Sequence, residues 1–339
     1  MTNILEGKNI LVCGGTGSIG SEIVRQALAH KPKHLRVLGR DETKLQDLLF
    51  SIDFPNNVRP LIGDIRDKER LRLAMDDVDI VFNAAALKHV TFCEYNPFEA
   101  VKTNVIGTQN IIDVALEKNV ERVITISTDK ATQPNSTLGA TKLLAERLTA
   151  AGNFYRGNKR IRLASVRFGN VLGSRNSILP RVKSQIENGK PVTITDKNMT
   201  RFVMSIDEAV RLIFESVQIM QGGEVFILKM PSVRIENLIK VFVSAFCKKN
   251  KINKNIKYSY IGLQPGEKIH ESLLTGNEAA SALENEKMFI LLSDINDFKS
   301  FEYPTFKKIL KAKEFTSDSV DLLSDGEISK MISKIPQLL

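Results

Sequence analysis

The chain has little of what builds metal centres or covalent staples. Its three cysteines, Cys13, Cys93 and Cys247, show no paired spacing, and its four histidines, His30, His34, His89 and His270, are scattered. This pattern argues against a CxxC-type metal site and a disulfide framework, and for reduced thiols. No apolar run approaches the ~20 residues that span a bilayer. The N-terminal MTNILEGKNILVCGG runs straight into a strand and lacks signal-peptide architecture. Internal repeats and low-complexity linkers are absent as well. The expectation is a cytoplasmic globular protein with no metal and no membrane partner.

What is present fits that class. The 339 residues are 42% hydrophobic and 26% charged, enough for one large α/β domain and a smaller lobe. The net charge of +9, from 48 basic and 39 acidic residues, is partly concentrated in KKNKINKNIK (248–257) and KKILKAK (307–313). Without aromatic interleaving or a nucleic-acid motif, these runs read as solvated surface, and no nucleic-acid partner is expected.

Short runs rich in Val, Ile and Leu occupy 9–13, 34–38, 58–62, 79–83, 122–127 and 161–167. Helical patterns at 18–30, 41–52, 67–76, 97–118 and 138–152 separate them. Strands alternating with helices imply a parallel sheet with right-handed crossovers, and near-continuous apolar strands imply a sheet covered on both faces. After about residue 170 the alternation loosens, with amphipathic helices at 207–219 and 234–247 and short strands near 191–195 and 224–228. The fold class is therefore α/β, a Rossmann-type doubly wound parallel sheet with a smaller C-terminal substrate-binding lobe. The expected division is a cofactor domain at 1–170, a lobe at 171–300 interleaved with the last sheet strands, and a surface tail at 301–339.

The first strand ends in Gly14-Gly15-Thr16-Gly17-Ser18-Ile19-Gly20. Glycines there permit a tight turn and close approach of the backbone, and the following helix offers free N–H groups to a pyrophosphate. In this strand–turn–helix context the motif reads as a dinucleotide site. The second strand runs into Gly39-Arg40-Asp41, with Lys44 beyond. Arg40 is placed to pair with a 2′-phosphate, and Asp41, one residue late for a ribose, suits a helix cap, so the cofactor expected is NADP. Asp64 and Ile65 follow the third strand, with Asp64 a partner for the adenine amino group. Ala84, Ala85 and Ala86 follow the fourth, where small residues let backbone pass close to the cofactor. Asn104 reads equally as a site residue or as a helix polar group bonded to nearby backbone.

The fifth strand ends in Ser127-Thr128-Asp129-Lys130 and leads to a helix carrying Lys142. An acid beside an amine at a strand end suits proton transfer on both sides of a carbon–carbon bond. These features resemble the extended short-chain dehydrogenase/reductase superfamily. The longer strings AAALKHVTFCEYNPFEAVKTNVIGTQN (84–110), STDKATQPNSTLGATK (127–142), VRFGNVLGSRNS (166–177), DKNMTRFVMSIDEA (196–209) and QPGEKIHE (264–271) narrow this. Together they resemble the bacterial UDP-N-acetylglucosamine 4,6-dehydratases of surface-glycan biosynthesis, the CapD-like group.

The resemblance implies oxidation of the sugar at C4 by NADP, loss of water across C5 and C6, and return of the hydride to C6. Lys130 is then the C5 base and needs a lowered pKa. Asp129 is the acid at O6, Thr128 a partner for O4, and Lys142 a ligand of the nicotinamide ribose. Arg175 and Arg201 are implied for the diphosphate and uridine, Asn170 for the sugar or its phosphates, Glu267 for a ribose hydroxyl and Lys88 for substrate contact. His89 reads as structural. The chain departs from the group at Gln264, where arginine is usual, at Asn176, where glycine is usual, and at Leu138, where a tyrosinate would take the O4 proton. The O4 base is left open among Asp129, Lys130 and a water held by Thr128. A 5-epimerase or 4-reductase of an already oxidised sugar, or a non-catalytic NADP-binding regulator, are the competing readings. A UDP-sugar is the expected substrate and a homo-oligomer the expected assembly.

Overall fold

The computed structural model describes residues 3–174, 177–253, 255–292, 301–335 and 338–339. The first half alternates strand and helix: β1 (Asn9–Cys13), α1 (Ser18–Ala29), β2 (His34–Gly39), α2 (Glu42–Phe50), β3 (Val58–Ile62), α3 (Lys68–Ala74) and β4 (Ile80–Asn83). It continues through α4 (Val90–Tyr95), α5 (Pro97–Ala100), a π-helical segment (Val101–Ile106), α6 (Gly107–Glu117), β5 (Arg122–Ile126), α7 (Thr137–Gly152) and β6 (Arg162–Arg167). The second half holds β7 (Asn170–Leu172), α8 (Ile178–Glu187), β8 (Val192–Ile194), β9 (Thr200–Ser205), α9 (Ile206–Ile219), β10 (Val225–Leu228), β11 (Ser232–Arg234) and α10 (Ile235–Lys249). The last elements are β12 (Tyr258–Tyr260), β13 (Ser272–Leu274), α11 (Gly276–Ser281), β14 (Leu283–Glu284), β15 (Met288–Leu291), β16 (Lys307–Lys308), β17 (Phe315–Thr316) and α12 (Asp325–Ser333).

A ten-stranded sheet in the order β16-β14-β15-β10-β6-β5-β4-β1-β2-β3 forms the centre. From β3 to β10 all pairings are parallel, and β15, β14 and β16 add antiparallel strands at one edge. The inner strands β1, β4 and β10 are buried along their length because both faces are covered, while the edge strands β3 and β16 are largely exposed. Ile10 and Val12, Ile80 and Phe82, and Ile124 and Ile126 pack into one core layer. The alternating Leu11, Cys13, Val81 and Val123 pack into the other. The chain leaves β1 towards β2 and returns to β4 on its other side, so the order reverses between β1 and β4. A crevice opens there, at the carboxyl ends of the strands.

From β6 onward the chain shuttles between this sheet and a lobe. The lobe contains the β11-β9-β7 sheet and the β12-β8 pair, with helices α8, α10 and α12 around Leu179, Val182, Phe242, Phe246 and Ile328. The C-terminal residues do more than coat the surface, as a tail would. Tyr303 and Ser317 are buried, β16 extends the main sheet, and α12 presents Ile328 and Ile332 to the lobe core. The helix expected at 97–118 is interrupted by its π-helical segment. There Asn104 turns inward and bonds the Leu87 backbone and Thr141.

At the end of β6 the guanidinium of Arg167, almost wholly buried, ties α7 to α11. Its Nε and Nη2 donate to Glu146 at 3.0 and 2.8 Å, and Nη1 and Nη2 donate to Glu278 at 3.1 and 3.0 Å. Nη1 also donates to the Leu273 carbonyl at 3.0 Å. Removing the cation leaves Glu146 charged and unpaired in the core. Arg167→Ala is therefore expected to lower the unfolding free energy by about 3–5 kcal/mol. Urea titration measures it, and a loss under ~1 kcal/mol would show that the network does not tie the helices together.

Candidate active site

The glycine turn is dictated by backbone proximity. Gly14 has φ +71°, and a Cβ there would lie 2.7 Å from the Ala85 backbone. A Cβ on Gly20 would sit 2.3 Å from the Gly14 carbonyl oxygen. The turn after β1 and the loop after β4 are thus pressed together at the point where the sheet order reverses, as small residues at 84–86 allow. Helix α1 begins at Ser18 with no side-chain cap on its free N–H groups and no acid in its first turn. Ile19 packs on the core, and the Thr16 side chain lies against Gly39. A glycine cradle under an uncapped helix start fits a dinucleotide pyrophosphate.

Arg40 stands at the lip, its side chain 56% exposed and 3.6 Å from Asp64. Asp41 is the N-cap of α2, accepting the Lys44 N–H at 3.1 Å and the Lys44 ammonium at 2.5 Å. The hydrogen bonds from Lys44 hold its carboxyl below the usual range. Asp41 and Lys44 thus form a local pair at the start of α2. Burial would raise the Asp64 carboxyl, but the hydrogen bonds from Arg66 win and lower it. Ile65 is buried against Gly107.

The residues after β5 form the centre of the site. Asp129 is fully buried. Its Oδ1 accepts from Thr128 Oγ1 at 2.8 Å and from Lys130 Nζ at 3.0 Å, while Oδ2 has no partner among the described residues. Gly169 keeps the space beside that oxygen open, since a Cβ there would stand 3.2 Å from it. The Thr128 hydroxyl thus orients the carboxylate. The Lys130 ammonium also lies 3.2 Å from Glu271 Oε1. Burial works against its charge, but Asp129 and Glu271 outweigh burial and the nearby Arg201, so its pKa is raised. The lowering expected of a free base is overturned: two carboxylates face the amine.

Lys142 lies beneath the same strand end, buried, with Nζ donating to the Ile126 carbonyl at 2.9 Å. Burial pushes its pKa from 10.5 down to about 8. Leu138, one turn earlier on α7, is buried in an apolar cluster with Cys93 and Ala100. Ser127 Oγ is buried without a partner among the described residues. Lys88 is exposed beyond β4, and burial with the Lys88 charge lowers the His89 pKa.

The residues expected at the nucleotide end separate. Arg201 is buried and committed to the protein: Nη1 donates to the Thr200 and Ile269 carbonyls at 2.7 and 3.0 Å, and Nη2 to the Lys268 carbonyl at 2.8 Å. Its Nε faces Glu271 at 3.7 Å. Its guanidinium is thereby held against the 268–269 backbone. Glu267 Oε2 accepts the Gln264 N–H at 3.1 Å and closes its own turn. Asn170 opens β7, half-buried beside Gly169. Arg175 and Asn176 lie outside the described residues. Sequence reasoning missed Glu271 and Lys268, whose Nζ donates to the Thr132 and Gln133 carbonyls at 3.0 and 2.8 Å. Both stand in QPGEKIHE, where only Glu267 was singled out.

A family model described as polysaccharide biosynthesis protein matches residues 10–293. An uncharacterized membrane protein of Methanocaldococcus jannaschii is 50% identical over 325 residues, 92% of this chain and 97% of its own. Among the described residues, no helix of this chain is long and apolar enough to cross a membrane. A UDP-N-acetylglucosamine 4,6-dehydratase (inverting) of Campylobacter jejuni is 42% identical, covering 86% of this chain and 85% of its own. A UDP-glucose 4-epimerase of Rickettsia rickettsii is 35% identical over 96% and 95%. The solved structure of Pen from Bacillus thuringiensis superposes with a TM-score of 0.91 at 42% identity, covering 99% of both chains.

The Lys142 environment has a consequence for stability. Its folded pKa of about 8 lies below the usual 10.5, so between these values the unfolded chain holds a proton that the folded chain has lost. Stability then rises with pH across this window, and below it the buried charge costs about 3 kcal/mol. In protein free of cofactor, Lys142→Met is expected to raise the unfolding free energy by about 2 kcal/mol at pH 7, the lost hydrogen bond offsetting the rest, with the gain gone near pH 10.5. Urea titrations at both pH values measure it; an equal effect at each would show that burial leaves this amine untouched.

Proposed function

The chain belongs to the polysaccharide biosynthesis protein family, and we propose that it dehydrates UDP-N-acetylglucosamine to a UDP-4-keto-6-deoxy-N-acetylhexosamine, with NADP as hydride carrier and inversion at C5. The observation that carries the reading is the pairing of buried Asp129 with Lys130, one Asp129 oxygen having no partner among the described residues, at the end of β5 beside the glycine cradle. The relative named as an inverting 4,6-dehydratase supports the reaction class.

NADP, when bound, supplies the acceptor for the C4 hydride and the donor that returns it to C6. The chain's own residues handle protons. At rest the carboxylates facing Lys130 favour its ammonium form. Redistributing one proton within the pair yields an amine and a carboxylic acid, and excluding water favours this neutral form. A ketone at C4 acidifies the C5 proton. The Lys130 amine takes that proton while Asp129 Oδ2 delivers one to the C6 oxygen, so the carbon–oxygen bond breaks and water leaves. Without a tyrosine at Leu138, O4 loses its proton to a water held by the pair, which passes it to solvent and leaves the Lys130 amine free for the C5 proton. In this reading residues 1–170 hold the cofactor and 171–300 the nucleotide sugar. The exposed Ile106 and Leu144, near and on the helices that pair in this superfamily, support a homo-oligomer.

Proton NMR of the protein with UDP-N-acetylglucosamine and NADP is expected to reveal a new C6 methyl signal, with deuterium at C5 when the solvent is D2O. A product that keeps its C6 hydroxyl and changes only at C4 would replace the dehydratase by an epimerase, the activity named for the Rickettsia relative. Lys130→Ala is expected to slow turnover by ~10²–10⁴-fold with cofactor affinity retained. Near-normal turnover would exclude it as the base.

The cofactor preference rests on Arg40, exposed at the lip, and on Asp41 being engaged as a cap. Arg40→Ala is expected to weaken NADP by at least ~10-fold while barely changing NAD, since it removes a charge-assisted bond to the 2′-phosphate alone. Equal weakening in fluorescence titrations of both cofactors would assign the preference elsewhere.

A further inference from the structure

Glu271 reaches Lys130 from a distant part of the chain, just before β13. Its backbone is fixed from both sides: its N–H donates to Ser317 Oγ at 3.0 Å, and its carbonyl accepts the Ser317 N–H at 2.8 Å. The side chain is 2% exposed, with Oε1 on the Lys130 ammonium and Oε2 unpartnered among the described residues. Lys268, three residues earlier, is bonded to the carbonyls of Thr132 and Gln133, so this segment is locked onto the turn that carries Asp129 and Lys130. A carboxylate buried only to hold a loop would have both oxygens satisfied. This one repeats the arrangement of Asp129 across the amine, with one oxygen on Nζ and one free.

We propose that Glu271 is a positioning residue that completes a carboxylate–amine–carboxylate group with Asp129 and Lys130 and stabilises the ammonium formed when Lys130 takes the C5 proton. The proposal rests on the dehydratase reading for its reaction. The reasoning is geometric. A neutral amine has two hydrogens and one lone pair. Giving one hydrogen to Asp129 Oδ1 and turning the other toward Glu271 Oε1, 3.2 Å away, leaves the lone pair in the remaining direction. The charge on Glu271 then stands beside the cation as it forms, the part a third group plays behind a base in catalytic triads. Within the group the charges balance: Asp129 and Glu271 against Lys130 and Arg201. Lys268 is engaged with backbone carbonyls, and His270 faces outward, with Nδ1 on Thr200 Oγ1 at 2.8 Å and Asp318 at 3.9 Å.

The test uses the full-length protein and the variants Glu271→Gln and Glu271→Asp. Without substrate, the Lys130 amine is titrated by NMR with carbon-13 at Cε, assigned through Lys130→Ala. Its midpoint is expected to fall by about one pH unit or more in Glu271→Gln, which loses the charge, and to stay near the parent in Glu271→Asp, which keeps it. An unchanged midpoint in Glu271→Gln, or an equal fall in Glu271→Asp, would overturn the electrostatic role. If Glu271→Gln does not fold, the proposal stands or falls on Glu271→Asp, where a midpoint near the parent supports it.

With UDP-N-acetylglucosamine, stopped-flow absorbance at 340 nm should show reduced cofactor accumulating in Glu271→Gln, because C4 oxidation proceeds while C5 proton removal slows by ~10–100-fold. Loss of sugar binding without accumulation would make Glu271 a structural latch only. If the parent protein forms no methyl product, the dehydratase reading fails by itself. The titration then still decides whether Glu271 controls the amine.

Discussion

Four charged groups clustered at the end of β5, three of them buried and Lys130 23% exposed, impose the most demanding constraint in this molecule. Asp129, Lys130, Glu271 and Arg201 lie within 3.0–3.7 Å of one another in sequence of contact. Desolvating such groups costs several kcal/mol each, and only mutual pairing with further hydrogen bonds offsets that cost. The surroundings are arranged accordingly. Thr128 donates to Asp129, carbonyls at 200, 268 and 269 accept from Arg201, and Ser317 holds the Glu271 backbone. Segments far apart in sequence must be in place together for any of these charges to be tolerated.

The sheet brings those segments to one rim. Parallel strands direct all their carboxyl ends the same way, so the turn after β1, the loop after β4 and the strand end at β5 share one crevice. Its width is set by the contact of Gly14 with Ala85, where no side chain fits. Behind the rim, Arg167 joins α7, which carries Lys142, to α11, which follows the Glu271 segment. Cofactor cradle and proton-handling group are therefore parts of one packed body.

Leu138 changes the balance within that body. A tyrosine there would share a helix face with Lys142 and bring a phenol to the reacting oxygen. Leucine instead seals an apolar cluster with Cys93 and Ala100, and Lys142 is left to lose its charge near pH 8 through burial. In the proposed reaction proton chemistry falls to the Asp129–Lys130 pair, beside which Glu271 is a second carboxylate.

The strands, the glycine turn, the helix cap at Asp41 and the pairing of Asp129 with Lys130 were legible in the sequence, because each depends on neighbours within a few residues. A period-2 apolar run, a positive φ that requires glycine and an acid beside a helix start are local demands. The task of Arg201, the part of Glu271, the inward turn of Asn104 and the burial of the C-terminal segment were not legible. Each depends on groups brought together from distant positions: Arg201 with the carbonyls at 268 and 269, Glu271 with Lys130, Asn104 with Leu87, Ser317 with Thr200. Sequence alone determined that an acid and an amine stand side by side at the end of β5. Only the tertiary structure decided the protonation of Lys130, because that follows from the distance to a carboxylate that no local pattern places.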